Sequence, residues 1–264
     1  MSDVETRTGA VGPYAWRRVG SGPPLLLLNG FAATGADWDP AFLAALGGTH
    51  TVLSPDHRGM GASALGDERL TVAAMAADAI GLLDHLGLER VAVVGWMGGF
   101  VAQAVAAAAP ERVAALVLLA TDLGPVAVRG DAEVWAELTD RSGSPREQAS
   151  RLLRRLFPPA LAAQVDRDVG EIVAAARADL DPAALDAQEM AVERWYAEGA
   201  PVPVGIRMLA AAGEEDEVVP AANVALLADR PLAWSARFPG AGHAFMAQVP
   251  GPLVDLIDRF LRSG

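Results

Sequence analysis

The 264-residue chain contains no cysteine. Disulfides, thiolate metal sites, iron–sulfur clusters and a cysteine nucleophile are therefore excluded. Lysine is absent too, so all 21 basic residues are arginine. A Schiff-base lysine, a pyridoxal-phosphate enzyme and a P-loop ATPase each need an ammonium at a fixed place, and none can be built here. Histidine is scarce: His50, His57, His85 and His243 are the whole set, with no two at the spacing of a helical metal pair. Neither a metal nor a cofactor is expected. Long apolar runs are missing as well. The longest, Val91 to Val105, is broken by Gly95, Gly98, Gly99 and Gln103 and is too short for a membrane span. Bases are outnumbered by 33 acids, which gives a net charge of −12. Nucleic acid or an anionic membrane would meet a repulsive field, so neither is an expected partner. The acidic start Met1-Ser2-Asp3-Val4-Glu5 is unlike a secretory leader. With the missing cysteines, it predicts a soluble, cytoplasmic protein. A homo-oligomer stays open.

Apolar material is plentiful at 52% of residues, enough for a large core. It comes in short runs that stop at turn residues. Leu25 to Leu28 ends at Asn29-Gly30, Thr51 to Ser54 at Pro55-Asp56, and Val91 to Val94 at Gly95. Val113 to Ala120 ends at Thr121-Asp122, Arg207 to Ala212 at Gly213, and Ala233 to Phe238 at Pro239-Gly240. Runs without polar alternation suit strands buried on both faces, hence a parallel sheet covered by helices. Helical patterns lie between them, at Val72 to Leu86, Gly99 to Ala109 and Pro252 to Leu261. The fold class expected is α/β, with ligand chemistry at the carboxyl ends of the strands. Residues 123–203 break the rhythm: helical, punctuated by Pro145, Pro158, Pro159 and Pro182, and without a convincing strand. The organisation expected is a core over 1–122 and 204–264, with a helical lid over 123–203. Arg151, Arg154 and Arg155 cluster within it at helical spacing, which reads as a solvated helix face.

Three strand-end turns carry the candidate chemistry. Leu28-Asn29-Gly30-Phe31-Ala32 offers backbone N–H groups after a sharp glycine turn. Gly213 to Pro220 puts Asp216 after a late strand, and Gly240-Ala241-Gly242-His243 puts a histidine after the last one. Both then sit at one edge of a parallel sheet, where a carboxylate orients an imidazole. Asp122, just past another strand, is an alternative acid. Trp96, Trp135 and Trp195 are candidate substrate-binding residues, the last two equally readable as lid core. His57 reads as a solvated loop histidine.

With Asp56-His57-Arg58-Gly59-Met60-Gly61-Ala62-Ser63, these turns make four motifs in a familiar order. The chain resembles the α/β-hydrolase superfamily, in the branch of cofactor-free haloperoxidase-like esterases, enol-lactonases and C–C hydrolases. That resemblance implies the α/β-hydrolase fold, an oxyanion turn over Pro24 to Gly35, Asp216 and His243 as the catalytic pair, and a structural task for Ser63. The fifth motif departs. Family members carry Gly-x-Ser-x-Gly at the nucleophile elbow, and here the string is Val94-Gly95-Trp96-Met97-Gly98-Gly99-Phe100. Counted from Gly95, Met97 stands in the nucleophile slot. Counted back from Gly98-Gly99, Met97 keeps an oxyanion place and the slot is missing. None of the nine serines lies in an elbow.

The function implied is an enzyme acting on a small, largely apolar ester, lactone or carbonyl compound. His243 would serve as general base with Asp216 behind it, and N–H groups of Phe31 and of Met97 or Gly98 would form the oxyanion hole. The alternatives are a serine esterase or lactonase that has lost its nucleophile, and a non-catalytic ligand-binding protein.

Overall fold

A computed structural model describes residues 7–11, 14–199 and 205–264. The acidic start and the 203/204 lid boundary lie outside the described residues. Strands are β1 (Arg7–Val11), β2 (Tyr14–Val19), β3 (Pro24–Leu28), β4 (Thr51–Pro55), β5 (Val91–Trp96), β6 (Val113–Leu119), β7 (Met208–Gly213) and β8 (Ala233–Phe238). Helices are α1 (Pro40–Gly47), α2 (Val72–His85), α3 (Gly99–Ala108), α4 (Ala132–Thr139), α5 (Pro145–Leu156), α6 (Pro159–Ala178), α7 (Pro182–Glu198), α8 (Asn223–Ala228), α9 (Phe245–Gln248) and α10 (Pro250–Arg262). They build one eight-stranded sheet in the order β1-β2-β4-β3-β5-β6-β7-β8. Pairing is parallel from β4 through β8, and antiparallel where β2 meets β1 and β4.

The parallel part is where the uninterrupted apolar runs fall. Leu25 to Leu28 of β3 are all fully buried, each contributing about 1.5–3 kcal/mol relative to exposure. Their period of two splits them between the faces. Leu26 and Leu28 join the core under α2, α3 and α7, while Leu25 and Leu27 join Phe42, Phe245 and Phe260 under α1, α9 and α10. The β1–β2 hairpin is absent from the sequence-based expectation. Its strands are short and edge-lying, and Arg17 and Arg18 face solvent, so it lacks the apolar run that betrays the central strands.

Between β6 and β7 the described residues hold only helices. Their starts are written locally. Ser144 and Glu147 form a reciprocal capping box on α5, and Asp131 and Asp181 cap α4 and α7. No helix of the described residues is long and apolar enough to cross a membrane.

Register fixes which turns meet. Leu28 pairs with Gly95, Trp96 with Leu119, Leu119 with Ala211, and Gly213 with Phe238. The loops after β3, β5, β6, β7 and β8 therefore leave the sheet at nearly one level.

Candidate active site

His243 and Asp216 meet at that level. The imidazole Nδ1 lies 3.0 and 2.9 Å from the two carboxylate oxygens. Backbone N–H groups of Val218 and Val219 also donate to Asp216, at 2.9 and 2.8 Å. An ionised carboxylate only accepts, so Nδ1 carries the proton and Nε2 presents a lone pair. Nε2 is buried and has no hydrogen-bond partner among the described residues, and His243 is 0% exposed. An unpaired buried polar atom costs about 1–3 kcal/mol and so calls for a reason.

Trp96 holds this histidine from behind. Its Nε1 donates to the His243 carbonyl at 3.0 Å, and its ring lies 5.4 Å from the imidazole and 5.8 Å from Trp38. Trp96 belongs to the core on the α1/α10 side of the sheet, so its expectation as a substrate-binding residue is corrected. Its position as the last residue of β5 turns it inward beneath the histidine loop.

At the elbow, Met97 has φ 51° directly after β5, and α3 starts two residues later. That is a strand–turn–helix with the left-handed residue at its tip. Gly95-Trp96-Met97-Gly98-Gly99 thus runs through the turn without a gap and with Met97 at its tip, a backbone that fits the alignment counted from Gly95. The Met97 N–H donates to Leu119 O at 3.0 Å, which removes it as an oxyanion donor. Gly98 is next along, its N–H turned toward the Trp96 carbonyl. A Cβ at Gly98 would sit 1.8 Å from the Asn29 carbonyl oxygen, and one at Gly30 would sit 2.6 Å from the Met97 Cβ. Elbow and β3 turn are packed backbone against backbone, which only glycine allows.

The β3 turn is held from below by His57. Its Nε2 lies 3.0 Å from the Asn29 carbonyl, so it donates to it. His57 is buried rather than solvated as expected from its loop position, because the loop folds around Asp56. The Asp56 carboxylate accepts from Gly35 N at 2.7 Å and Ala62 N at 3.2 Å. Burial pulls the His57 pKa down, opposed chiefly by the hydrogen bond to Asn29. Ser63 bonds Asp56 O at 2.8 Å and Ala15 N at 2.9 Å, tying the loop to β2. The Phe31 N–H has no acceptor among the described residues, while the Phe31 ring lies 5.3 Å from that of Trp135 on α4.

Helix α7 crosses the strand ends. Its buried residues Ala184, Leu185, Gln188, Ala191, Val192 and Trp195 follow one helical face. Gln188 Oε1 accepts from Ala32 N at 2.9 Å. Trp195 Nε1 and the Tyr196 hydroxyl donate to the two oxygens of Asp122 at 3.2 and 2.9 Å. Asp122 therefore fastens α7 and does not face His243, and Trp195 is core, packed on Phe100 with rings 6.2 Å apart. Desolvation beside that carboxylate pushes the Tyr196 hydroxyl pKa well above its ordinary value. Arg155, expected to be solvated, instead bridges Glu137 and Glu217 at 2.9 Å each, joining α5 to the Asp216 loop. Sequence reasoning missed Gln188, while Tyr196, expected as lid core or substrate wall, proves to fasten α7 to Asp122. The signal for Gln188 was a polar residue on an otherwise apolar helix face.

Among the described residues no cluster of three His, Asp or Glu is placed to hold a metal ion. The chain spans about two fifths of the length of the curated relatives it matches. One relative is the non-heme haloperoxidase of Rhodococcus erythropolis, 37% identical over 102 residues, which are 38% of this chain and 37% of that protein. Among solved structures, a hydrolase from Pseudomonas aeruginosa PA01 has a TM-score of 0.80 at 28% identity, covering 97% of this chain and 98% of that one. The enol-lactonase from Burkholderia xenovorans LB400 has a TM-score of 0.78 at 22% identity, with 97% and 100% covered, a likeness of fold alone. A family model described as alpha/beta hydrolase fold matches residues 23–217. That stretch runs from the start of β3 through the elbow to the Asp216 loop, and it makes the chain a member of the alpha/beta hydrolase fold family.

Proposed function

We propose that the chain is a cofactor-free enzyme acting by general-base catalysis on a small, largely apolar ester, lactone or other carbonyl compound, without a covalent acyl intermediate. One observation carries this reading. The His243 Nε2 is a buried, unpartnered lone pair, and Asp216 fixes the tautomer that exposes it. A thioether at residue 97 has no proton to give and cannot form an acyl-enzyme.

The chemistry is then direct. Nε2 takes a proton from a water molecule as that oxygen bonds to the substrate carbonyl carbon, and the C=O π pair moves to oxygen. The Phe31 N–H stabilises the oxyanion, with Gly98 beside it as a second donor once the substrate oxygen competes with the Trp96 carbonyl. Collapse breaks the bond to the leaving alkoxide, which takes the proton back from Nε2. The helices over 123–203 act as a lid that keeps the pocket apolar, with Trp135 against Phe31 as its inner wall.

The test uses short aryl esters and lactones as substrates and a fluorophosphonate as probe. The natural chain should turn over one of these classes without being labelled. Asp216→Asn should lower turnover by about 10⁴-fold, because the tautomer is lost while the fold stays. Met97→Ser should create labelling, because a hydroxyl then stands at the elbow beside His243. Labelling of the natural chain, or turnover untouched by Asp216→Asn, would overturn the proposal. No turnover together with no labelling of Met97→Ser would favour a ligand-binding protein.

A further inference from the structure

We propose that Gln188, on the helical insert, is a positioning residue for the oxyanion turn, so that the turn is assembled only while α7 is seated. The inference rests on the reading above that the Phe31 N–H serves the reaction. Ala32 sits at φ 55°, a left-handed conformation that side chains other than glycine rarely take. It sets the direction of the peptide on either side, and the Phe31 N–H is one residue away. A turn of this kind stays in place only where its surroundings fix it.

Two contacts do so, from opposite sides. His57 donates to the Asn29 carbonyl from the core side. Gln188 Oε1 accepts from Ala32 N at 2.9 Å from the insert side. Gln188 is 2% exposed and Ala32 half-buried, so the acceptor is held inside the fold against the turn. Without Gln188, that N–H would lose its acceptor among the described residues, and the turn would be free to rotate. Such a rotation carries the Phe31 N–H with it.

Helix α7 is fixed on both sides of this contact. Gln188, Trp195 and Tyr196 lie seven and eight residues apart, two turns of one helix face. The last two are fastened to Asp122 at the end of β6. At the other end of α7, Ala184 packs on Gly59 so closely that a Cβ on that glycine would lie 2.4 Å from the Ala184 Cβ. Gln188 lies between two fixed points, and its carbonyl is aimed rather than free.

The experiment separates this inference from the proposed function. Amide hydrogen exchange at Ala32 is read in the natural chain, in Gln188→Met, which keeps the volume and removes the acceptor, and in Gln188→Glu, which keeps an acceptor. Fluorophosphonate labelling rates are read for the same two changes in the Met97→Ser background. Exchange at Ala32 should quicken about tenfold or more in Gln188→Met and stay near the natural rate in Gln188→Glu. Labelling should slow about tenfold in Gln188→Met and by less than about threefold in Gln188→Glu. A merely structural role would lower the melting temperature of Gln188→Met with the labelling rate of the folded protein unchanged, and that result overturns the inference. Unaltered Ala32 exchange in Gln188→Met overturns it as well, whatever the labelling. If the natural chain shows no turnover and Met97→Ser is not labelled, but Ala32 exchange responds as expected, the proposed function fails and the positioning of the turn by Gln188 stands.

Discussion

The two halves of the site are held in different ways. The acid–base half depends on side chains: Asp216 on Nδ1 of His243, two N–H groups on Asp216, and Trp96 on the histidine carbonyl. The elbow half depends on main chain and glycine: Met97 N–H on Leu119 O, and Gly98 and Gly30 against their opposite strands. Among the described residues no hydrogen bond that holds the elbow uses the residue 97 side chain, which only packs beside Gly30 and the core. The hydrogen bonds that shape the turn therefore do not depend on the chemistry of that side chain. The acid–base half has no such freedom, because replacing either side chain removes the bond that defines it.

That contrast breaks most readily at Gly98. Gly98→Ala places a methyl group 1.8 Å from the Asn29 carbonyl oxygen, against backbone that cannot swing away. We expect a loss of about 3 kcal/mol, the upper part of the overpacking range, in chemical denaturation. Loss below about 1 kcal/mol would mean the elbow is softer than its packing suggests. An intermediate effect is expected where the halves join. Trp96→Phe keeps an aromatic ring but leaves the His243 carbonyl unpaired, which should cost about 1–2 kcal/mol. A tilted His243 should also slow labelling of Met97→Ser, whereas a purely structural cost would leave that rate alone.

The smallest effect is a pH dependence at His57. Burial lowers its folded pKa below the ordinary 6.5, so between those values the unfolded chain binds a proton that the folded one declines. The stability is present in full above 6.5 and is lost as pH falls below it. His57→Gln should remove that component from the acid limb of the stability curve below pH 6.5. Identical acid limbs in the two proteins would show that His57 is free to charge in place.

Sequence alone carried the sheet's centre. Leu25 to Leu28, Val91 to Val94 and Val113 to Leu119 are apolar on every residue that a doubly covered strand must bury, and no other burial satisfies such runs. It also carried the His243–Asp216 pair, because each follows its own strand and parallel strands end at one edge. The β1–β2 hairpin was not legible, since its stability comes from pairing with β4 rather than from its own pattern. Tertiary structure alone decided the rest. Trp96 and Trp195 looked alike as site aromatics, yet the pleat of β5 and the face of α7 send both into core. Asp122 and Asp216 both follow strands. Only the α7 hydrogen bonds assign one to fastening the insert, while the β7 loop gives the other to the imidazole. The string around Met97 admitted two alignments, because spacing does not record φ; the left-handed backbone at that residue settles which atom sits at the tip.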